Sequence, residues 1–279
     1  MFTLISIELY KIFRKWRTYI GFIAIGILVP IIHIAMIYEG KNTIDFMTRN
    51  IQQSFIFVGN LLNTYLISYI VLNSLTVHIP FLITLVGGDL LAGEATAGTY
   101  RLMLTRPITR EKFVTAKFIA GVIYSNLLMF WLALMSLVVG YFIFGVGELL
   151  IIRSDMIIIF EKEDILWRFV GAYGYASLGM TVVASLSFLF SSLVENAIGP
   201  IVSTMAVIIV FVIISAINVD LLQSIKPYLF TNYISSWQLF FDQPVDFNEI
   251  LKSIGILILH ILIFFGATLI IFRRKDILT

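Results

Sequence analysis

The sequence contains no cysteine, and charged residues make up only 13% of its 279 positions. Without cysteine the chain can have no disulfide framework, no thiolate metal site and no thiol nucleophile. It also lacks the motifs H-E-x-x-H and G-x-S-x-G and any clustered acidic motif, so no catalytic site and no metal site is predicted. These absences favour a transport or binding function over an enzymatic one.

A nucleotide-binding loop is missing as well. The nearest approach is GEATAGT, from Gly93 to Thr99, in which two glycines have the separation found in a P-loop. A threonine stands where the P-loop lysine would reach the β- and γ-phosphates, and no buried strand precedes the segment. The chain is therefore not expected to bind a nucleotide cofactor or to hydrolyse ATP itself.

Apolar sequence, by contrast, is abundant: 59% of the residues are hydrophobic and the mean hydropathy is +0.99. A single soluble core cannot bury so much apolar surface. Runs long enough to cross a bilayer fall at 18–38, 61–92, 117–144, 167–194, 197–219 and 251–272. Because every backbone amide in lipid needs an internal partner, these runs are predicted to be helices. We predict an all-α polytopic membrane protein whose six transmembrane helices form one domain over residues 1–279.

The distribution of charge predicts the orientation of these spans. Twelve of the 19 basic residues fall on the side that carries both termini, and acidic residues concentrate on the other side. The more basic side is expected to face the cytoplasm. Both termini are therefore predicted to be cytoplasmic.

Residues 1–17 precede the first span and have the pattern of an interfacial amphipathic helix. Apolar residues recur at helical spacing, at Phe2, Ile5, Leu9, Ile12, Phe13 and Trp16. The other face carries Glu8, Lys11, Arg14 and Lys15. Such a helix would lie on the inner leaflet with its basic residues near anionic lipid. The alternative is a simple basic anchor for the first span.

A polar, glycine-bearing and basic stretch, residues 87–117, separates the second and third spans. Thr99 is suited to cap a short helix, Pro107 disfavours its continuation, and Thr109 is suited to cap the next helix. The predicted product is a cytoplasmic helix-turn-helix elbow over residues 93–112. The alternative is an ordinary loop whose arginines only set topology.

The segment GEATAGTYRLMLTRPITR, residues 93–110, combines Gly93-Glu94, Gly98-Thr99, Leu104, Pro107 and Arg110 at close to fixed spacing. This pattern resembles the first cytoplasmic loop of the type-2 exporter permeases of ATP-binding cassette (ABC) transporters. The six-span layout and the interfacial N-terminal helix extend the resemblance over most of the chain.

The resemblance implies a permease in which this loop is a coupling helix that rests in a cleft of an ATPase subunit. By position, the contact and hinge residues would be Glu94, Gly98, Thr99, Tyr100, Arg101, Leu104, Pro107 and Arg110. Implied partners are two copies of an ABC ATPase, which hold ATP and Mg²⁺, and a second permease, the same or homologous. The implied setting is the plasma membrane of a bacterium, in contact with lipid and not with nucleic acid.

The implied activity is export, and the apolar spans favour a hydrophobic or amphipathic substrate. The alternative function is a secondary transporter or channel not driven by ATP. Such a protein would normally place paired charges or broken helices at mid-membrane.

Several single residues in the spans carry further predictions. Pro80 and Pro200 are expected to kink the second and fifth spans, which line the pathway in similar permeases, and so to be hinges; the alternative is that they only improve packing. His33, His78 and His260 are predicted to be neutral, hydrogen-bonded packing residues, with a functional role as the alternative.

Two polar or aromatic groups near the span ends leave alternatives open. Asp89 and Glu94 either orient an arginine of the elbow, meet the N-terminal basic helix, or mark the water interface. In the segment 220–249, aromatic residues are predicted to anchor at the membrane interface, at Tyr228, Phe230, Tyr233, Trp237 and Phe240. The alternative is that amphipathic parts of this segment and of the segment 148–164 lie on the outer leaflet as gates or lids.

Overall fold

The computed structural model describes residues 1–49, 60–75, 77–99, 108–152, 157–217 and 219–275. These ranges form a helical bundle with one two-stranded sheet. The helices in chain order are α1 Phe2–Arg14, α2 Trp16–Thr48, α3 Thr64–Leu75, α4 Ile79–Gly87, α5 Asp89–Thr96, α6 Arg110–Ala133, α7 Gly140–Phe144, α8 Lys162–Leu193, α9 Ile198–Ala216, α10 Asp220–Gln223, α11 Phe230–Ile234 and α12 Phe247–Arg274.

Six helical segments in the described part of the chain are long and apolar enough to cross a membrane. They are Trp16–Phe46, Ile79–Thr96, Arg110–Phe144, Lys162–Leu193, Ile198–Ala216 and Phe247–Arg274. The predicted class, an almost entirely helical protein with six transmembrane helices, is confirmed. The short helix predicted inside the elbow falls on residues 100–107, outside the described ranges.

The second predicted span, 61–92, is wrong as one continuous helix. The structure divides it into α3, α4 and α5, with breaks before Ile79 and at Gly88. Pro80 lies in the first turn of α4, where the ring replaces an amide that has no intrahelical partner. Pro200 likewise lies in the first turn of α9. Neither proline kinks a continuous helix, and their role as hinges stays a prediction.

The first and third spans are longer than predicted. The helix α2 continues to Thr48, ten residues beyond the predicted end. The helix α6 begins at Arg110, seven residues before the predicted span, and the predicted cap at Thr109 is confirmed because its hydroxyl accepts a hydrogen bond from the Lys112 amide. Between α6 and α7 the chain forms a π-helical segment at Leu134–Val139, so the third span is not regular throughout.

The centre of the bundle is α8. Within its most apolar stretch 72% of the residues are buried, against 11% for α12 and 17% for α9. Small residues let neighbours approach closely; a side chain at Gly171 would overlap the ring of Phe240. The weakly buried outer helices leave much apolar surface for lipid or another protein.

Two segments outside the long helices differ from prediction. Strands β1, Leu149–Ile152, and β2, Ile157–Phe160, form an antiparallel pair in the segment 148–164, for which the sequence predicts no strand. In the segment 220–249, Phe230 and Trp237 are almost fully buried, so the predicted interfacial anchoring is wrong for them. Tyr228, in contrast, is exposed. The aromatic content of a segment alone does not show whether its rings pack inside the protein or anchor at the membrane interface.

Candidate functional site

The helix α5 forms the stem on which the elbow begins, and it ends in a defined turn. Gly98 adopts a left-handed conformation with φ of 64°. Its amide donates to the Ala95 carbonyl, and the Thr99 amide donates to the Glu94 carbonyl, at 3.0 Å each. This pair of bonds is a Schellman motif, which needs glycine at the left-handed position. The elbow therefore leaves α5 at a fixed point.

The far side of the elbow is fixed as well. Arg110, at the start of α6, donates from Nη1 to the carbonyls of Arg273 at 3.2 Å and Lys275 at 2.8 Å. Arg273 in turn forms an ion pair with Glu111. The guanidinium thus satisfies carbonyls at the carboxyl end of α12. Both sides of the elbow are held at the end of the bundle where α12 finishes.

Beneath the stem lies a group of seven charged residues, here called the stem ion cluster. Its members come from α1, the α1–α2 junction, α5 and α6, and are Glu8, Lys11, Lys15, Arg17, Asp89, Glu94 and Lys117. These elements are far apart in sequence, so only the packing of α1 and α6 against the stem brings the charges together.

One half of the cluster is enclosed. Lys117 Nζ lies 2.6 Å from Glu8 Oε2 and 2.9 Å from Glu94 Oε1, and only 2% of its side chain is exposed. Lys11 Nζ contacts the same two carboxylates, at 2.9 Å from Glu8 and 3.0 Å from Glu94. The Thr99 hydroxyl also donates to the Glu94 carboxylate. Two ammonium groups and two carboxylates therefore neutralise one another in a site that is largely buried except at Lys11, whose side chain is 33% exposed.

The other half is open. Asp89, in the first turn of α5, accepts from Lys15 Nζ at 2.7 Å and from Arg17 Nη1 at 3.2 Å. Its side chain is 11% exposed, whereas those of Lys15 and Arg17 are about half exposed. Of the alternatives for Asp89 and Glu94, contact with the N-terminal basic residues is present in the described part of the chain, and Arg101 and Arg106 of the elbow lie outside that part.

Titration of Lys11 reflects these contacts. Burial by itself lowers the pKa of this ammonium, but hydrogen bonds and Coulomb attraction from Glu8 and Glu94 outweigh it and raise the pKa above its ordinary value of 10.5. The ammonium therefore stays charged at neutral pH and continues to bridge α1 to the stem.

The side chains of α1 correct one part of the prediction for residues 1–17, the assignment of Glu8, Lys11 and Lys15 to a face near lipid, whereas the position of this helix on the inner leaflet stays a prediction. The helix itself is present, but Glu8 is only 4% exposed and points with Ile12 towards the protein. Phe2, assigned to the apolar face, is 87% exposed. Lys11 and Lys15 bind carboxylates of the stem. The polar face of α1 is thus used inside the protein, because buried partners on α5 and α6 are available to it.

The residues predicted to couple to an ATPase have separate positions. Glu94, Gly98 and Thr99 lie together at the end of the stem, and Arg110 lies at the start of α6. The described contacts of Glu94 and Arg110 are within the chain. The other four lie outside the described residues, namely Tyr100, Arg101, Leu104 and Pro107. Contact of any of the eight with an ATPase stays a prediction.

A serine holds the break between α4 and α5. The hydroxyl of Ser191, on α8, donates to the Gly88 carbonyl at 2.6 Å and accepts from the amides of Leu91 and Ala92. Pro200 packs at the same point, since a side chain at Gly88 would meet its ring. Thr96 adds a bond of 2.7 Å to the Glu195 carbonyl in the α8–α9 link. The stem is therefore joined to α8 and α9 as well as to α1 and α6.

The sequence missed Glu8, Lys117 and Ser191. Lys117 carried a signal, because a lysine next to the apolar run of a span needs a partner or water. Nothing local distinguishes Ser191 from its neighbour Ser192. Of the histidines, His78 and His260 have hydrogen-bond contacts as predicted, whereas the buried ring of His33 has none in the described structure.

Comparison with known families gives a direct assignment. The family model described as "ABC-2 family transporter protein" matches residues 2–277. The chain belongs to this family. The ABC-2 match covers nearly the whole sequence, so the resemblance carried by residues 93–110 is confirmed. Family membership and the six apolar helices together show that the chain is a multi-pass membrane protein.

A curated relative of this ABC-2 protein is "Uncharacterized protein YhcI" of Bacillus subtilis (strain 168). The two chains are 23% identical over 205 residues, which is 69% of this chain and 63% of the relative. The aligned part therefore spans less than two thirds of the relative's length.

Proposed function

We propose that this chain is the permease subunit of an ABC transporter that exports a hydrophobic or amphipathic substrate across the plasma membrane. Membership of the ABC-2 family carries the proposal. The missing P-loop lysine supports it, because a transporter of this family without its own nucleotide site needs ATP and Mg²⁺ bound by another chain.

The elbow over residues 93–112 is the proposed contact with the ATPase. Its stem is bonded to α1 through Lys11, to α6 through Lys117 and to the α8–α9 link through Thr96. A displacement of the elbow would be passed to all of these elements at once. Coupling of about 1 to 3 kcal/mol between two states is the usual size of such an effect.

The proposed assembly contains two ATPase subunits and a second permease, the same or homologous. Both termini face the cytoplasm in this proposal. Support comes from the excess of basic residues on that side and from the packing of α1, the elbow stem and the end of α12 at one end of the bundle.

Co-purification tests the proposal. The full chain, extracted from its own cells, should capture an ABC ATPase whose ATP hydrolysis is measurable in the eluate. Tyr100→Ala and Leu104→Ala should each reduce the captured activity roughly tenfold, because a truncated hot-spot side chain costs more than 1 kcal/mol. Tyr141→Ala, at the opposite end of the third span, is the matched control and should capture as much as the wild type.

Two results would contradict different parts of the proposal. Full capture by every elbow variant would refute the elbow as the contact while leaving the permease assignment intact. ATP hydrolysis by the chain purified free of other proteins would refute the assignment itself.

A further inference from the structure

An open groove of about 570 Å³ lies beside the stem, on the side away from the enclosed charges. Its wall is formed by Lys15, Trp16 and Arg17 at the start of α2, and by Asp89 and Thr96 of α5, with Ala197 opposite. Small residues on the α5 side leave the space open. The groove is large enough for a phosphate-sized headgroup with its attached glycerol.

The charges around this groove do not balance. The enclosed half of the stem ion cluster has two cations and two anions, whereas the open half has Lys15 and Arg17 against the single carboxylate of Asp89. One positive charge therefore remains in excess among the described lining residues. It is carried by side chains that are about half exposed and so can reach a ligand. A guanidinium and an ammonium held side by side suit a phosphate.

Apolar surface continues from the groove along the bundle. Trp16 is 73% exposed, and the exposed residues Ile20 and Ile23 follow it on α2. On the other side, Ile198 and Val202 are exposed on α9. The helix α4 packs against both α2 and α9. The exposed apolar residues of α2 and α9 that follow the groove are here called the apolar furrow. A ligand that fits both parts has an anionic head and apolar chains.

We propose that a membrane lipid with an anionic phosphate headgroup binds here, with the headgroup between Lys15 and Arg17 and its chains along the furrow between α2 and α9. Trp16 lies where tryptophan is enriched in membrane proteins, at the boundary between headgroups and chains. A free anion would use only the charged part of the site, whereas a lipid covers the exposed apolar furrow as well.

Native mass spectrometry of the full chain in detergent tests the proposal. The protein is titrated with phosphatidylglycerol or with phosphatidylcholine of the same acyl chains. Wild type should bind phosphatidylglycerol more tightly than phosphatidylcholine. The double variant Lys15→Gln/Arg17→Gln should lose that preference, because its affinity for phosphatidylglycerol should fall roughly fivefold for each charge removed. The matched control, Arg14→Gln/Arg274→Gln, removes two exposed basic residues that do not line the groove and should keep it.

A variant with the opposite effect guards against simple loss of folding. Asp89→Asn removes the competing carboxylate and should bind phosphatidylglycerol roughly fivefold more tightly than wild type. The proposal would be overturned if wild type bound both lipids with equal affinity. It would also be overturned if the control variant lost the preference for phosphatidylglycerol as fully as the Lys15→Gln/Arg17→Gln variant. Competition by glycerol phosphate at the same concentration would show an anion site without lipid and would overturn it too.

A second copy of the chain is the other occupant that could cover the furrow. Because the protein has no cysteine, the single variants Ile20→Cys and Val202→Cys give an unambiguous cross-linking test. Cross-links between copies in membranes, with phosphatidylglycerol binding abolished, would overturn the lipid site. Accessible cysteines that are protected by added phosphatidylglycerol would support it.

Discussion

At the scale of single residues, Lys117 decides how the stem is held. Its ammonium is the one that joins α6 to both α1 and α5, through Glu8 and Glu94. Burial has unequal effects on forming and on breaking such an ion pair. A satisfied buried ion pair adds little stability over an apolar pair, but removal of one partner leaves a charge without compensation.

Lys117→Met should therefore lower the free energy of unfolding by about 3 kcal/mol, because two carboxylates would then share only Lys11. Thermal unfolding of the detergent-solubilised protein measures the change. The double variant Lys117→Met/Glu8→Gln, which restores the charge balance, should recover most of the loss.

Lys112→Gln is the control for this prediction. It removes an exposed lysine less than two turns away on the same helix and should change stability by no more than about 0.5 kcal/mol. Similar melting temperatures for the Lys117 and Lys112 variants would mean that the enclosed half of the cluster does not stabilise the stem.

At the scale of elements, the stem is a short helix between two breaks. It begins after Gly88, where the Ser191 hydroxyl replaces bonds that a continuous helix would make, and it ends at the left-handed Gly98. The two ends have different physical causes. One depends on a side chain of α8, and the other on a backbone conformation that only residues without a β-carbon adopt readily.

Gly98→Ala should destabilise the end of the stem by about 1 kcal/mol through the left-handed backbone alone, since the space around Gly98 is open. Faster hydrogen exchange of the Thr99 amide is the expected observation. Gly174→Ala is the control, because its surroundings are also open but it lies within α8. Equal exchange at Thr99 in both variants would contradict the motif.

Ser191→Ala should cost about 1 to 3 kcal/mol, because the Gly88 carbonyl and the amides of Leu91 and Ala92 would each lose a buried hydrogen bond. Ser192→Ala removes a hydroxyl that, among the residues the structure describes, donates to the Leu189 carbonyl of its own helix, and it should cost less. The two melting temperatures compare the neighbours directly. A larger effect at Ser192 would refute the role given to Ser191.

At the scale of the whole molecule, the charged residues near the two ends of the chain lie together. Lys11 and Lys15 near the amino end contact the stem, and the carboxyl end of α12 contacts Arg110. The hairpin β1–β2 follows the third span and so belongs to the other end of the bundle. A chain that crosses the membrane six times has both ends on the same side, which agrees with the contacts near the two ends of this chain.

A reporter fused after residue 279 should be active only in the cytoplasm, whereas the same reporter inserted between β1 and β2 should be active only outside. The excess of basic residues on the first side is the physical reason. Activity of the carboxyl-terminal fusion outside the cell would reverse the proposed topology.

The sequence by itself determined the class of protein, the number of spans, the family pattern at residues 93–110 and the cap at Thr109. Each follows from hydropathy or from residues close together in the chain, and such local effects do not need the fold. The tertiary structure decided the break at Gly88, the direction in which α1 turns its polar face and the burial of Phe230 and Trp237. It also paired Lys117 with Glu8, which are 109 residues apart. Such a pair forms only because helix packing removes both charges from water together.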